Sequence, residues 1–158
     1  MQFSDFICSE AVIAELKATD RDGVIAELVQ ALAKAGELEN ARPADITRAV
    51  VERESNGSTG MGKGVALPHV KHKLVKRVVA GVGLKSEGID FAALDKQPVY
   101  SVILLLSPSD DPDEHLQAME KVFKHMQQEK FRKFLRQCST AKEVLDLLQE
   151  ADQDPELR

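Results

Sequence analysis

The stretch GSTGMGKGVALPHVKH, residues 57–72, decides how the rest of the chain is read. Its first half, with Asn56 before it, has four glycines in eight residues and can only be loop or turn. Gly57, Gly62 and Lys63 match the spacing of a nucleotide-binding P-loop, but Gly64 stands where that motif needs a Ser or Thr hydroxyl for magnesium. The context is also reversed, because a helix precedes this loop and a strand follows it. Val65 to Leu67 is short, apolar and closed by Pro68, so it predicts a strand ending at His69. Pro68 restricts the backbone just before His69. A neutral imidazole held rigidly beside a loop is a nucleophile near pH 7 and can carry a labile phosphoryl group. Taken alone, His69 also fits a histidine that closes a strand by bonding a backbone group.

Two residues outside the stretch bear on that choice. A helix beginning near Pro43 carries Ile46, Ala49, Val50 and Arg53 on one stripe, which predicts that Arg53 turns inward just before the glycine loop. An inward arginine needs an anion, either a phosphate or a carboxylate such as Asp113 or Glu114. Downstream, Asp111 caps a helix whose first residue is Pro112, with Glu114 completing the cap. Leu116, Met119, Val122, Phe123 and Met126 form its apolar stripe, and His115 opens that stripe on the core side. His115 reads either as a satisfied, half-buried histidine or as a hydrogen-bond donor to phosphate. The loop itself offers Ser58, Thr59 and the Gly60 region as phosphate donors, or simply a tight turn.

Further out, Val12–Leu16 predicts a first strand and Asp20 caps a helix carrying Val24, Ile25, Leu28, Val29 and Leu32 up to Gly36. Arg77–Leu84 and Val99–Leu106 predict strands, the second nearly continuous in apolar residues, with connecting structure from Gly88 to Pro98. Helices follow at Glu129–Gln137 and Ala141–Ala151. The mixed order predicts an α/β domain over residues 1–152 and a tail over 153–158. A net charge of −5 and a single aromatic-poor surface (no Trp, one Tyr) argue against nucleic-acid binding. No apolar run approaches the roughly 20 residues that span a bilayer, which argues against membrane insertion. No secretory signal opens the sequence, so the cytoplasm is expected. Cys8 and Cys138 read as reduced thiols, and His69 with His72 is too sparse a pattern for a metal.

The residues Arg53-Glu54, Gly57-Ser58-Thr59-Gly60 and Val65-Ala66-Leu67-Pro68-His69 resemble the signature of the fructose/mannitol-type (type 2) enzyme IIA of the sugar phosphotransferase system. The resemblance runs on through Gly88-Ile89-Asp90-Phe91, Leu94-Asp95, Gln97-Pro98-Val99, Ser107-Pro108 and His115-Leu116, and so covers essentially the whole chain. It implies a single α/β domain with a mixed central sheet flanked by helices on both sides, and no metal or organic cofactor. By matched position it implies a His69 phosphorylated on Nε2, with His115 as second active-site histidine and Arg53 facing the phosphate. The implied donor is the carrier protein HPr and the implied acceptor an enzyme IIB cysteine. Nitrogen-regulatory paralogues of the family imply the alternative of a regulated target protein. The expectation is a domain standing alone, without fused IIB or IIC segments. One departure is Val70, where many members have Gly or Ala; a branched side chain there is expected to alter the rim or partner access.

Overall fold

A computed structural model describes residues 1–154 and gives one mixed sheet with helices on both faces. After a short 3-10 turn at Phe3–Asp5, the elements are β1 (Ile7–Ile13), α1 (Arg21–Lys34), α2 (Pro43–Ser55), β2 (Gly60–Gly62), β3 (Val65–Ala66), β4 (His69–His72), β5 (Val79–Ile89), β6 (Val99–Pro108), α3 (Pro112–Met126), α4 (Glu129–Gln137) and α5 (Ala141–Gln153). The strand order is β1-β5-β6-β3-β2, with β4 also beside β6. β5 and β6 run antiparallel, whereas β1 on β5 and both β3 and β4 on β6 run parallel.

Burial on both faces explains why β6 reads as an unbroken apolar run. Val102, Leu104 and Leu106 join the core under α1 and α2, with Leu28, Val29, Ile46 and Val50. Ile103 and Leu105 join the opposite core under α3 to α5, with Ala118, Val122, Leu135 and Leu148. Alternation along one strand therefore assigns each residue to a helix layer. Helix starts follow local chemistry: Asp20 accepts from Gly23 N at 2.6 Å, Asp111 from Glu114 N at 3.2 Å, and Pro43 and Pro112 occupy first-turn positions.

Several boundaries differ from expectation. The first strand is Ile7–Ile13 rather than Val12–Leu16. Its apolar residues lie on both sides of Ser9–Glu10, and Leu16 is buried in the following bend, where its N–H donates to Leu84 O at 2.8 Å. The strand after the proline-free turn extends to Ile89, into the expected connection, and α5 extends to Gln153. The expected tail thus starts inside that helix, and positions 155–158 lie outside the described residues. Among the described residues, no helix is long and apolar enough to cross a membrane, and no cluster of three or more His, Cys, Asp or Glu could hold a metal ion.

Candidate functional site

The expected strand ending at His69 is two strands in one register. Ala66 pairs with Val102 and His69 with Leu105, so the offset along β6 is unchanged across the gap. Pro68 breaks the ladder because it has no N–H to donate, although its carbonyl still accepts from Leu105 N at 3.0 Å. His69 therefore opens β4 instead of closing β3. It shares the sheet face of Leu67 and Leu105, toward α3, while Val70 packs into the opposite core under α1 and α2. Val70 is thus turned away from the rim it was expected to alter.

Half-buried His69 has Nδ1 2.7 Å from Leu67 O. A carbonyl only accepts, so Nδ1 carries the proton and Nε2 keeps its lone pair. Burial, and secondarily the nearby Arg53 charge, hold the His69 pKa below the usual histidine value, against the raising effect of the Leu67 bond. His115 is 8% exposed at the start of α3, with Nδ1 2.6 Å from Ser107 Oγ. The two imidazole centroids are 5.6 Å apart and tilted by 45°. Burial, then the proximity of His69 and Lys71, pushes the His115 pKa down to about 4.

The sign of the linkage follows from that direction. Unfolded chain takes up a proton on His115 near pH 6.5 while the folded protein resists until about 4. The stability owed to neutral His115 is complete above pH 6.5 and declines as the pH falls toward 4. The His115 ring resonances are expected to stay in the neutral form at pH 5.5, and an NMR titration midpoint near 6.5 would contradict this.

Glu54, rather than the expected Arg53, takes the inward place on α2. The inner stripe of α2 runs Ile46, Val50, Glu54 at spacings of four, leaving Arg53 exposed one position earlier. Arg53 Nη1 donates to Gly57 O at 3.0 Å, and neither Asp113 nor Glu114 is its partner. Its charge is therefore turned to the same cleft that His69 lines. Glu54, 2% exposed, accepts from Thr59 N at 2.8 Å and Thr59 Oγ1 at 2.7 Å. Ser58 Oγ donates to Phe91 O at 2.8 Å and accepts from Gly60 N at 3.0 Å. Ser58, Thr59 and Gly60 form one wall of the cleft, but the donors expected to face a phosphate, namely both hydroxyls and the Thr59 and Gly60 amides, are engaged by Phe91 O, Glu54 and Ser58 Oγ.

Backbone shape completes that wall. Lys63 and Gly64, at φ 60° and 82°, make the two-residue turn between β2 and β3, and Asp95 accepts from Lys63 N at 2.9 Å. Gly60 lies against Ala93, whose Cα would be 2.9 Å from an added Cβ, so any side chain there would displace the 90–98 segment. The cleft encloses about 480 Å³ and is lined by Arg53, His69, Met61, Leu94, Met119 and Phe123 among others. On α3, His115, Val122 and Met126 face inward as the stripe requires, joined by Ala118, while Leu116 and Phe123, expected in the same stripe, are exposed.

The sequence profile described as "Phosphoenolpyruvate-dependent sugar phosphotransferase system, EIIA 2" matches residues 5–151. The chain belongs to the PTS EIIA type 2 family. A Bradyrhizobium diazoefficiens protein named "Nitrogen regulatory protein" is 30% identical over 148 residues, covering 94% of this chain and 95% of that one. The "PTS system fructose-specific EIIABC component" of Bacillus subtilis is 29% identical over 152 residues, 96% of this chain. This EIIA-family chain spans only 24% of that relative's length. Among solved structures, the nitrogen regulatory protein IIA-Ntr of Neisseria meningitidis superposes with a TM-score of 0.83 at 28% identity, covering 92% of this chain and 98% of that one. The fold is thus that of the EIIA type 2 proteins, as the resemblance implied.

Glu54 and Ser107 were missed as site residues. Counting fours from Ile46 would have reached Glu54, and Ser107 follows Ile103 and Leu105 on the α3-facing alternation of β6.

Proposed function

We propose that this EIIA-family protein is a cytoplasmic phosphohistidine carrier that takes a phosphoryl group from HPr onto His69 Nε2 and passes it on, to an enzyme IIB cysteine. The observation that carries this reading is the Nδ1–H bond from His69 to Leu67 O, which leaves Nε2 as a free nucleophile at the edge of an open cleft.

In the proposed step the Nε2 lone pair attacks phosphorus in line, a new N–P bond forms, and the N–P bond to the donor histidine breaks. The ring becomes positive as it bonds phosphorus, and the Nδ1–H bond to the Leu67 carbonyl steadies that charge. Arg53 balances the equatorial oxygens from the cleft side, and His115 donates to one of them. Phosphoryl transfer asks chiefly for such positioning and charge stabilisation. Ser58, Thr59 and Gly60 shape the wall that orients the group, held by Glu54. The depressed His69 pKa keeps the acceptor neutral at cellular pH. The exposed Leu94 and Phe123 lining the cleft give a protein donor an apolar surface to dry on contact.

A second reading, a regulator whose partner affinity depends on the state of His69, is favoured by the near full-length match to a nitrogen regulatory protein. Both readings share the loading step. Incubation with phosphoenolpyruvate, enzyme I and HPr is expected to add one acid-labile phosphoryl group to the wild type and none to His69→Ala, read by intact mass. Equal loading of the two proteins would refute the proposal. Subsequent discharge onto an enzyme IIB separates transport from regulation.

A further inference from the structure

We propose that Ser107 is a positioning residue that fixes His115 as its Nε2–H tautomer, so that the paired histidines carry opposite tautomers. The inference rests on the phosphotransfer reading and supplies the proton inventory it needs. Ser107 pairs with Lys71 in the β4–β6 register, two residues beyond the His69–Leu105 pair and on the same sheet face. That register brings its side chain beneath the first turn of α3, where it meets His115.

Ser107 is completely buried, and among the described residues its hydroxyl has His115 Nδ1 as its hydrogen-bond partner, at 2.6 Å. A hydroxyl has one proton to give, and two assignments are possible. If Nδ1–H donated to Oγ, the hydroxyl proton would sit in a sealed position without an acceptor, a costly arrangement. If the hydroxyl donates to the Nδ1 lone pair, every group there is satisfied and the imidazole proton must reside on Nε2. His115 Nε2 is not sealed from solvent, so its proton meets no such penalty.

The pairing matters because the neighbour is set the other way. A carbonyl holds the proton on Nδ1 of His69 and bares Nε2 for bonding to phosphorus. A hydroxyl holds the proton on Nε2 of His115 and presents an N–H to a phosphoryl oxygen. With both rings neutral, one histidine can only attack and the other can only donate. A shared tautomer would leave either two lone pairs against an anion or no nucleophile.

The test is a long-range proton–nitrogen spectrum of the free, uniformly 15N-labelled protein near pH 7. His115 is expected to show a pyrrole-type Nε2 and a pyridine-type Nδ1, with His69 reversed. Ser107→Ala should shift both His115 nitrogens toward a tautomer average and slow loading from phospho-HPr by about tenfold, whereas Ser107→Thr should restore both. An Nδ1–H tautomer at His115 in the wild type would overturn the proposal, whether or not the variants fold. Unchanged His115 nitrogen shifts in Ser107→Ala would also overturn it. Failure of the wild type to accept phosphate would instead overturn the reading beneath it, and the spectrum distinguishes the two failures because it needs no phosphorylation.

Discussion

Replacing His115 or Arg53 with alanine is expected to slow phosphoryl transfer through His69 by about 10²-fold to 10³-fold, the usual cost of removing one preorganised donor to a transition-state oxygen. The two variants should differ in their side effects. Arg53 is exposed and, among the described residues, bonds a loop carbonyl alone, so its loss should leave the thermal midpoint within about a degree or two. His115 is buried against Ser107, and its removal leaves a small cavity and a hydroxyl without an acceptor. A modest fall in stability should therefore accompany its kinetic effect. Rapid-quench loading from phospho-HPr, alongside thermal melts, checks both. A rate near wild type in either variant would remove that side chain from the transfer step, and unfolding of Arg53→Ala would give it a structural role that its surroundings do not suggest.

The second large effect is expected at Glu54. Its carboxylate holds the Thr59 amide and hydroxyl at once, inside the core and beneath the cleft wall. Glu54→Ala removes both acceptors and leaves two donors facing a void. A stability loss of about 2–3 kcal/mol is expected from a lower urea midpoint at unchanged slope. Because the 58–60 segment forms that wall, the same substitution should slow loading of His69 even where the protein is fully folded. Glu54→Gln retains an acceptor oxygen for one of the bonds and should lose less on both measures. Equal losses for Ala and Gln would point to charge, and no loss for either would separate the wall from the function.

Much of this was legible because local chemistry and tertiary context agreed. Asp20 and Asp111 each meet the amide three residues on, as their places before apolar periodic segments required. The apolar run of β6 fitted a strand covered on both faces, and the sheet supplies that cover. The site was less legible, and for definite reasons. Arg53 and Glu54 are adjacent, so an error of one position, about 100° around a helix, exchanged the inward and outward residue. Pattern reading favours an apolar inner stripe and cannot foresee a carboxylate whose partners lie in the next loop. On α3 the apolar residues Leu116 and Phe123 are exposed, so hydrophobicity misreported part of the buried face. Ser58 and Thr59 looked free for a ligand because nothing local disclosed their bonds to Phe91 and Glu54.

His69 itself owes the most to its place in the fold. As sequence it was a histidine after a proline; in the fold, the interrupted ladder fixes its backbone and the Leu67 carbonyl takes one nitrogen, leaving the other at the cleft. The measurement that bears most directly on the account is therefore a nitrogen–phosphorus correlation on the 15N-labelled protein after loading from phospho-HPr. The phosphorus is predicted to couple to Nε2 of His69, with Nδ1 still protonated. A phosphoryl group on Nδ1, or on any residue other than His69, would contradict it.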